Sequence, residues 1–188
     1  MLFTTQVELP QGTLDISHRS RLMLIGSCFA DNIGTLLLDN KFNVDVNPFG
    51  VQYNPLSIAT VLSRICDGTP FNEGSPELFE YNGKWHSILH HSNFSRDSKE
   101  QLIDAVNSRL KEAHKRIEAC DVVIITLGTA YAYTRNGDNS VVGNCHKLPG
   151  NCFTRRLLGV DEITDAMTGV MQRIIEANPK TRFLFTVS

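Results

Sequence analysis

The chain has 188 residues, of which 41% are hydrophobic and 20% are charged, and its formal net charge is −2. These values are typical of a soluble domain, and they exclude the strongly basic surface that attracts nucleic acids or anionic membranes. No stretch reaches the roughly 18 apolar residues of a membrane span, and residues 1–10 lack the basic and apolar regions of a signal peptide. We therefore expect one cytoplasmic domain over residues 1–188, without a nucleic-acid partner or a membrane span.

The predicted elements alternate strands with helices. In chain order they are strand 22–25, helix 28–39, strand 42–46, helix 55–67, an irregular segment 68–97, helix 98–119, strand 121–127, a long loop 128–159, helix 160–177 and strand 181–187. This alternation predicts a three-layer α/β/α fold with a parallel sheet and helices on both faces. An Asn-Gly pair at 82–83 also predicts a small hairpin inside the irregular segment. Because ligands bind beyond the carboxyl ends of parallel strands, the turns after the first three strands should share one crevice.

The turn after the first strand carries two nucleophilic side chains, Ser27 and Cys28. Both lie where a strand ends and a helix begins, and the positive end of the helix dipole there favours a thiolate or a developing oxyanion. A second interpretation is an ordinary turn in which Ser27 caps the helix and Cys28 is buried. The five cysteines follow neither a disulfide framework nor a zinc signature, which fits a reduced compartment. Among them we expect Cys28 to be the most reactive thiol.

Several blocks of the chain resemble one family. Gly26-Ser27-Cys28-Phe29-Ala30 resembles the name-giving motif of the GSCFA family, a bacterial branch related to the SGNH/GDSL hydrolases. Further blocks resemble that family in the same order, namely residues 47–50 with 54–57, 85–87 with 90–92, 126–131 and 144–147. The resemblance implies an SGNH-hydrolase, flavodoxin-like fold. It also implies that the chain is the N-terminal part of a domain truncated at its C-terminus, with an acidic/His block that supplies the base beyond Ser188.

The same resemblance implies hydrolysis or transfer of an acyl ester, with an O-acylated carbohydrate or another small ester as substrate and no cofactor. Cys28 aligns with the superfamily's nucleophilic serine, a shift of one residue gives Ser27 instead, and both remain open. Gly50 resembles the glycine whose N–H serves the oxyanion hole, and Gly128 opens the third block. Ala130 stands where that block usually has the oxyanion asparagine, and it has no polar side-chain atom. The alternative is a non-catalytic carbohydrate or small-ligand binding module on the same fold.

Three histidines and one asparagine complete the predicted site. His146 is a candidate for acid–base chemistry or substrate contact, and Asn144 is a candidate for the missing oxyanion amide. We expect His86 and His91 to line the substrate site. His86 and His90 also have the spacing of a shared helical face, which allows a metal site with His91. That reading is the weaker one, because no spacing here matches a zinc signature. The sequence leaves the oligomeric state open.

Overall fold

A computed structural model describes residues 14–187 of the chain, so the expectation for residues 1–10 lies outside the described part. The elements are β1 (Arg21–Gly26), α1 (Cys28–Asp39), β2 (Asn43–Val46), α2 (Pro55–Asp67), β3 (Leu78–Tyr81), β4 (Lys84–Ser87), α3 (Lys99–Ile117), β5 (Val122–Leu127), β6 (Tyr131–Arg135), β7 (Phe153–Leu157), α4 (Val160–Ala177) and β8 (Arg182–Val187). Within residues 14–187, no helix has both the length and the apolar character needed to cross a membrane.

Four of the strands form one parallel sheet in the order β2-β1-β5-β8. All four predicted strands are confirmed to within one residue at each end. The chain places β2 on one side of β1 and β5 on the other, so the strand order reverses between β1 and β5. In open α/β sheets, ligands bind at such a switch point, beyond the carboxyl ends of the strands. The turn that carries Ser27 and Cys28 lies at this point.

The two central strands, β1 and β5, are buried between two helical layers. Side chains from one face of β1 and β5 share a core with α2, α3 and α4, and side chains from the other face pack with α1. The first set contains Met23, Ile25, Val123 and Ile125, and the second contains Leu22, Leu24, Val122 and Ile124. Strands covered on both faces read as continuous apolar runs, which is the pattern seen here. The predicted three-layer α/β/α architecture is therefore confirmed.

Two antiparallel hairpins accompany the sheet. The hairpin of β3 and β4 was predicted from its Asn-Gly pair, and Asn82 and Gly83 both have the positive φ that a type I′ turn requires. The hairpin of β6 and β7 lies within residues 128–159, so the prediction of a long loop there is wrong. A long connection separates β6 from β7. The sequence therefore carries no short-range turn signal that pairs the two strands.

Candidate functional site

Gly26 forms the turn that brings the end of β1 close to β5. Its φ is +141°, which L side chains rarely adopt, and a Cβ at this position would lie 2.1 Å from the carbonyl oxygen of Thr126. Thr126 is also its register partner on β5. Only glycine permits this approach, which sets the start of α1 at the carboxyl ends of both strands.

Ser27 is held inside this turn by hydrogen bonds. Its backbone N–H donates to Oγ1 of Thr126 at 2.9 Å and to the carbonyl oxygen of Thr126 at 3.1 Å. Its hydroxyl lies 3.2 Å from Thr126 Oγ1 and accepts a hydrogen bond from the Phe29 N–H at 3.3 Å. Only 5% of Ser27 is exposed. Ser27 therefore caps α1, as one of the two sequence interpretations predicts.

Cys28 is the first residue of α1, and its side chain is exposed. The prediction of a buried Cys28 is therefore wrong. Three other thiols lie in less polar surroundings: burial raises the pKa of Cys66 and of Cys120 to about 11, and it also raises the pKa of Cys145. These three thiols stay protonated at neutral pH. Cys28 instead faces solvent at the positive end of a helix, where the first-turn N–H groups have no intrahelical acceptor.

Asn47 ties the loop after β2 to the same turn. It is buried with φ +41°, and its Oδ1 accepts a hydrogen bond from the Gly26 N–H at 2.8 Å. Its Nδ2 donates to the Asp31 carboxylate in the first turn of α1. Its carbonyl oxygen accepts from the Gly50 N–H at 2.7 Å. The N–H of Gly50, the predicted oxyanion donor, is therefore engaged within its own loop.

The loop after β5 reaches the turn through Gly128. A Cβ on Gly128 would lie 3.0 Å from Cβ of Ser27 and 3.3 Å from Cδ1 of Tyr53, so the glycine sits between the two side chains. The N–H groups of Gly128 and Thr129 both donate to the Tyr53 carbonyl at 3.0 Å. The loops after β1, β2 and β5 thus meet, as the sequence predicts. Ala130 lies next in this loop and adds no polar side-chain atom.

A cavity of about 410 Å³, here named the tyrosine cavity, adjoins this meeting point at Tyr53 and Thr129. Its wall also contains Tyr131 and Tyr133 of β6 and Arg155 of β7. The guanidinium carbon of Arg155 lies 3.7 Å from the centre of the Tyr131 ring. Each of the three tyrosines exposes more than a third of its surface. The cavity therefore offers aromatic faces and one cation beside the turn.

A second cavity of about 520 Å³, here named the histidine cavity, shares Asn144 with the first. His86 and His146 lie in its wall, and their ring centres are 4.7 Å apart. Nε2 of His146 donates to the Ser87 carbonyl at 2.8 Å, and burial lowers the pKa of the ring. Oδ1 of Asn144 accepts from the His146 backbone N–H at 2.8 Å. The structure thus brings these three predicted residues together, whereas Cys28 lies in the wall of neither cavity.

Among residues 14–187, the structure gives no metal site for the other predicted histidines. His86 lies on β4, not on a helix, and its Nδ1 is 2.7 Å from Oγ of Ser95, so the shared helical face with His90 does not exist. His90 is fully buried and stacked on Phe49, and burial lowers its pKa to about 3. The His91 N–H donates to the Phe49 carbonyl at 2.8 Å, beside the loop of Gly50. Within the described residues, no three His, Cys, Asp or Glu side chains form a group that could hold a metal ion.

Sequence reasoning missed the residues that fasten the turn and those that line the tyrosine cavity. Asn47 and Thr126 act on residues that are distant in the chain, so no local pattern reveals them. Tyr131 and Tyr133 did carry a signal. Their period-two spacing around the buried Ala132 is that of a strand with two aromatic rings on one face.

Comparison with known proteins gives one positive finding. No curated protein and no solved structure matches the chain. The sequence profile of the GSCFA family matches residues 21–188, a span that begins with β1 and contains the turn, both hairpins and both cavities. The chain belongs to the GSCFA family.

Proposed function

We propose that this GSCFA protein hydrolyses or transfers acyl esters and that Cys28 is its nucleophile. The observation that carries the proposal is the contrast between two neighbours: Ser27 is buried and hydrogen-bonded to Thr126, whereas Cys28 is exposed at the start of α1. A thiol is partly ionised at neutral pH and is intrinsically more nucleophilic than a hydroxyl. The contrast therefore favours Cys28 over Ser27.

The proposed reaction begins when the Cys28 thiolate attacks the carbonyl carbon of the ester. The carbonyl π electrons move to oxygen, and the oxyanion forms beside the helix start, where the Cys28 N–H and the helix dipole stabilise negative charge. Collapse of this intermediate breaks the bond to the alcohol oxygen, which takes a proton from water, and leaves a thioester. Water or a second alcohol then attacks the thioester, which releases the acid or a new ester and regenerates the thiolate.

Two cavities beside residues 128–130 suit the two parts of such a substrate. One is the tyrosine cavity, which we assign to the alcohol part. The other has about 190 Å³ and a mainly apolar wall, to which Pro55, Ala130 and Ile163 contribute. We assign this smaller cavity to the acyl group, because its wall is mainly apolar. His146 remains a candidate for substrate contact, because it lies in the wall of the histidine cavity next to the tyrosine cavity. Its Nε2 is bonded to the Ser87 carbonyl and is not free for acid–base chemistry.

The test is turnover of p-nitrophenyl acetate by the full-length protein, combined with mass spectrometry of the trapped acyl-enzyme. We expect Cys28→Ala to lower turnover by roughly 10³-fold or more, since the nucleophile and its partners act as a unit. Cys152→Ala is the matched control, because it removes another thiol and should leave turnover unchanged. The acetyl group should be found on the peptide that contains Cys28. Full turnover by Cys28→Ala would refute the proposal.

A non-catalytic binding module is the second candidate, and one observation favours it. Two oxyanion groups of the superfamily pattern are unavailable, because the Gly50 N–H is bonded to Asn47 and Ala130 replaces the asparagine. If the wild-type protein turns over no ester and forms no acyl-enzyme but still binds a ligand in the tyrosine cavity, this candidate replaces the first.

A further inference from the structure

All four tyrosines of the chain line the two adjoining cavities. Tyr53, Tyr131 and Tyr133 lie in the tyrosine cavity, and Tyr81 lies in the histidine cavity. Because Asn144 belongs to both walls, the cavities are neighbours, and together they are here named the tyrosine groove. Tyrosine combines an apolar ring with a polar tip, and exposed tyrosines are enriched where proteins contact ligands. The concentration of all four in one groove therefore indicates a binding surface.

The tyrosine groove is also positively charged, although the chain as a whole has 20 acidic and 18 basic residues. Its walls contain Arg155, Lys147 and Lys84, and none of the described wall residues is acidic. Neither Arg155 nor Lys147 has an ion-pair partner within residues 14–187, and Lys84 makes only an exposed pair with Asp97 at 3.4 Å. Unpaired cations among aromatic rings favour a ligand that carries oxyanionic groups.

The wall of the histidine cavity also offers hydrogen-bonding groups. The amide of Asn82 and the hydroxyls of Ser92 and Ser95 lie in this wall, beside the rings of His86 and His146. Amide and hydroxyl groups can donate to and accept from the hydroxyls of a ligand. The ligand should therefore carry hydroxyls as well as negative charge.

We propose that the tyrosine groove binds an acidic oligosaccharide, whose sugar rings lie against the tyrosines and whose carboxylates pair with Arg155, Lys147 and Lys84. This inference deepens the proposed function by naming the alcohol part of the ester. The identification of the saccharide as part of a substrate therefore rests on the proposed function. Binding of an unesterified saccharide does not require Cys28, however, so the two can fail separately. The groove begins at Tyr53, beside Gly128, which packs against Ser27 in the turn that precedes Cys28.

A single-stranded nucleic acid also combines rings with negative charge, but the groove favours it less. The backbone of a DNA strand has no free sugar hydroxyl between its ends, whereas each ring of a saccharide carries several. The side chains of Asn82, Ser92 and Ser95 in the wall of the histidine cavity match the alternating donors and acceptors of a sugar.

The test is isothermal titration of the full-length protein with hexasaccharides of galacturonic acid, mannuronic acid and hyaluronan. Maltohexaose serves as the uncharged ligand, and hexathymidylate as the nucleic acid. We expect at least one acidic hexasaccharide to bind at least tenfold more tightly than maltohexaose and hexathymidylate. Arg155→Ala/Lys147→Ala should weaken that binding about tenfold or more, since each removes a charge-assisted contact. The matched control, Arg19→Ala/Lys111→Ala, removes two exposed cations outside the groove and should bind as the wild type does.

Each possible outcome either supports or overturns the inference. Selective binding of an acidic hexasaccharide that is lost in the groove variant, but kept in Cys28→Ala, supports the inference whether or not the protein turns over esters. Absence of binding by all three acidic hexasaccharides overturns it. Equal affinity for maltohexaose, tighter binding of hexathymidylate, or equal weakening by the control variant also overturns it.

Discussion

The two ends of the parallel sheet use polar side chains in opposite ways. At the amino end, two opposite charges are paired with each other: Arg21 at the start of β1 binds the Asp121 carboxylate before β5 at 2.8 Å. At the carboxyl end, Cys28 is exposed, and Arg155 lies over a tyrosine without an ion pair among the described residues. This ion pair is satisfied within the protein, whereas Cys28 and Arg155 at the carboxyl end are open to a ligand.

This difference separates residues that maintain the fold from residues that are available for function. The groups that shape the carboxyl end are uncharged and buried: Gly26, Ser27, Asn47 and Thr126 fix the turn through close packing and hydrogen bonds. Such groups are sensitive to small changes in volume or bonding, because a buried polar atom that loses its partner is costly. The exposed ion pair of Arg21 and Asp121 at the amino end contributes little to stability. Substitutions at the two ends should therefore have different consequences.

The largest expected effect is that of Gly26→Ala. The added Cβ would lie 2.1 Å from the Thr126 carbonyl oxygen at a φ that L residues rarely adopt, so β1 and β5 must separate. We expect a loss of about 3 kcal/mol or more in the free energy of unfolding, measured by urea denaturation. Gly83→Ala is the control, since its φ is also positive but nothing lies within 4 Å of its Cβ position. Strain alone should then cost about 1 kcal/mol. Equal losses would contradict the close-approach argument.

The second prediction concerns acid sensitivity, which should arise at the carboxyl end. Burial lowers the pKa of His90 to about 3, below the 6.5 of an exposed histidine, so the unfolded chain binds more protons than the native protein between these values. Stability should therefore fall as the pH drops below 6.5, by about 2 kcal/mol from pH 6.5 to pH 5. The Arg21 guanidinium lowers the pKa of Asp121, so that pair loses its contribution only at lower pH.

Urea unfolding at several pH values tests this prediction. His90→Phe cannot be protonated and should remove this part of the slope, whatever its own stability at pH 7. An unchanged slope in His90→Phe would mean that His90 does not stay neutral in the native protein.

Much of the fold was predictable from the sequence, because most of its strands and helices are specified by residues that are neighbours in the chain. The strands of the sheet are short apolar runs, and the helices carry periodic apolar faces, so neighbouring residues specify them. The hairpin of β6 and β7 was not predictable in this way, since its strands pair across a long connection. For the site, the sequence located the turn of Ser27 and Cys28 but left open which of the two side chains is buried and which is exposed. Burial of Ser27 depends on Thr126 of β5, which no local pattern reveals.

The third prediction distinguishes Ser27 from Cys28. Ser27→Ala removes the cap of α1 and should cost about 1 kcal/mol of stability, with less than a tenfold loss of ester turnover. Ser98→Ala is the matched control, because the Ser98 hydroxyl caps α3 by accepting from the Gln101 N–H at 3.2 Å. It should cost a similar amount and leave turnover unchanged. If Ser27→Ala abolishes turnover as completely as Cys28→Ala, the capping assignment is wrong and Ser27 is the nucleophile.

The smallest expected effect is that of Arg21→Gln, and it completes the comparison of the two ends. The pair with Asp121 is exposed, so its loss should lower stability by less than Ser27→Ala does, and the difference from the wild type should shrink as salt screens the charges. Ester turnover and saccharide affinity should not change. Arg155→Ala should give the reverse result, with unchanged urea unfolding and weaker saccharide binding. If Arg21→Gln weakens binding, or Arg155→Ala weakens only folding, the division between a structural amino end and a ligand-binding carboxyl end fails.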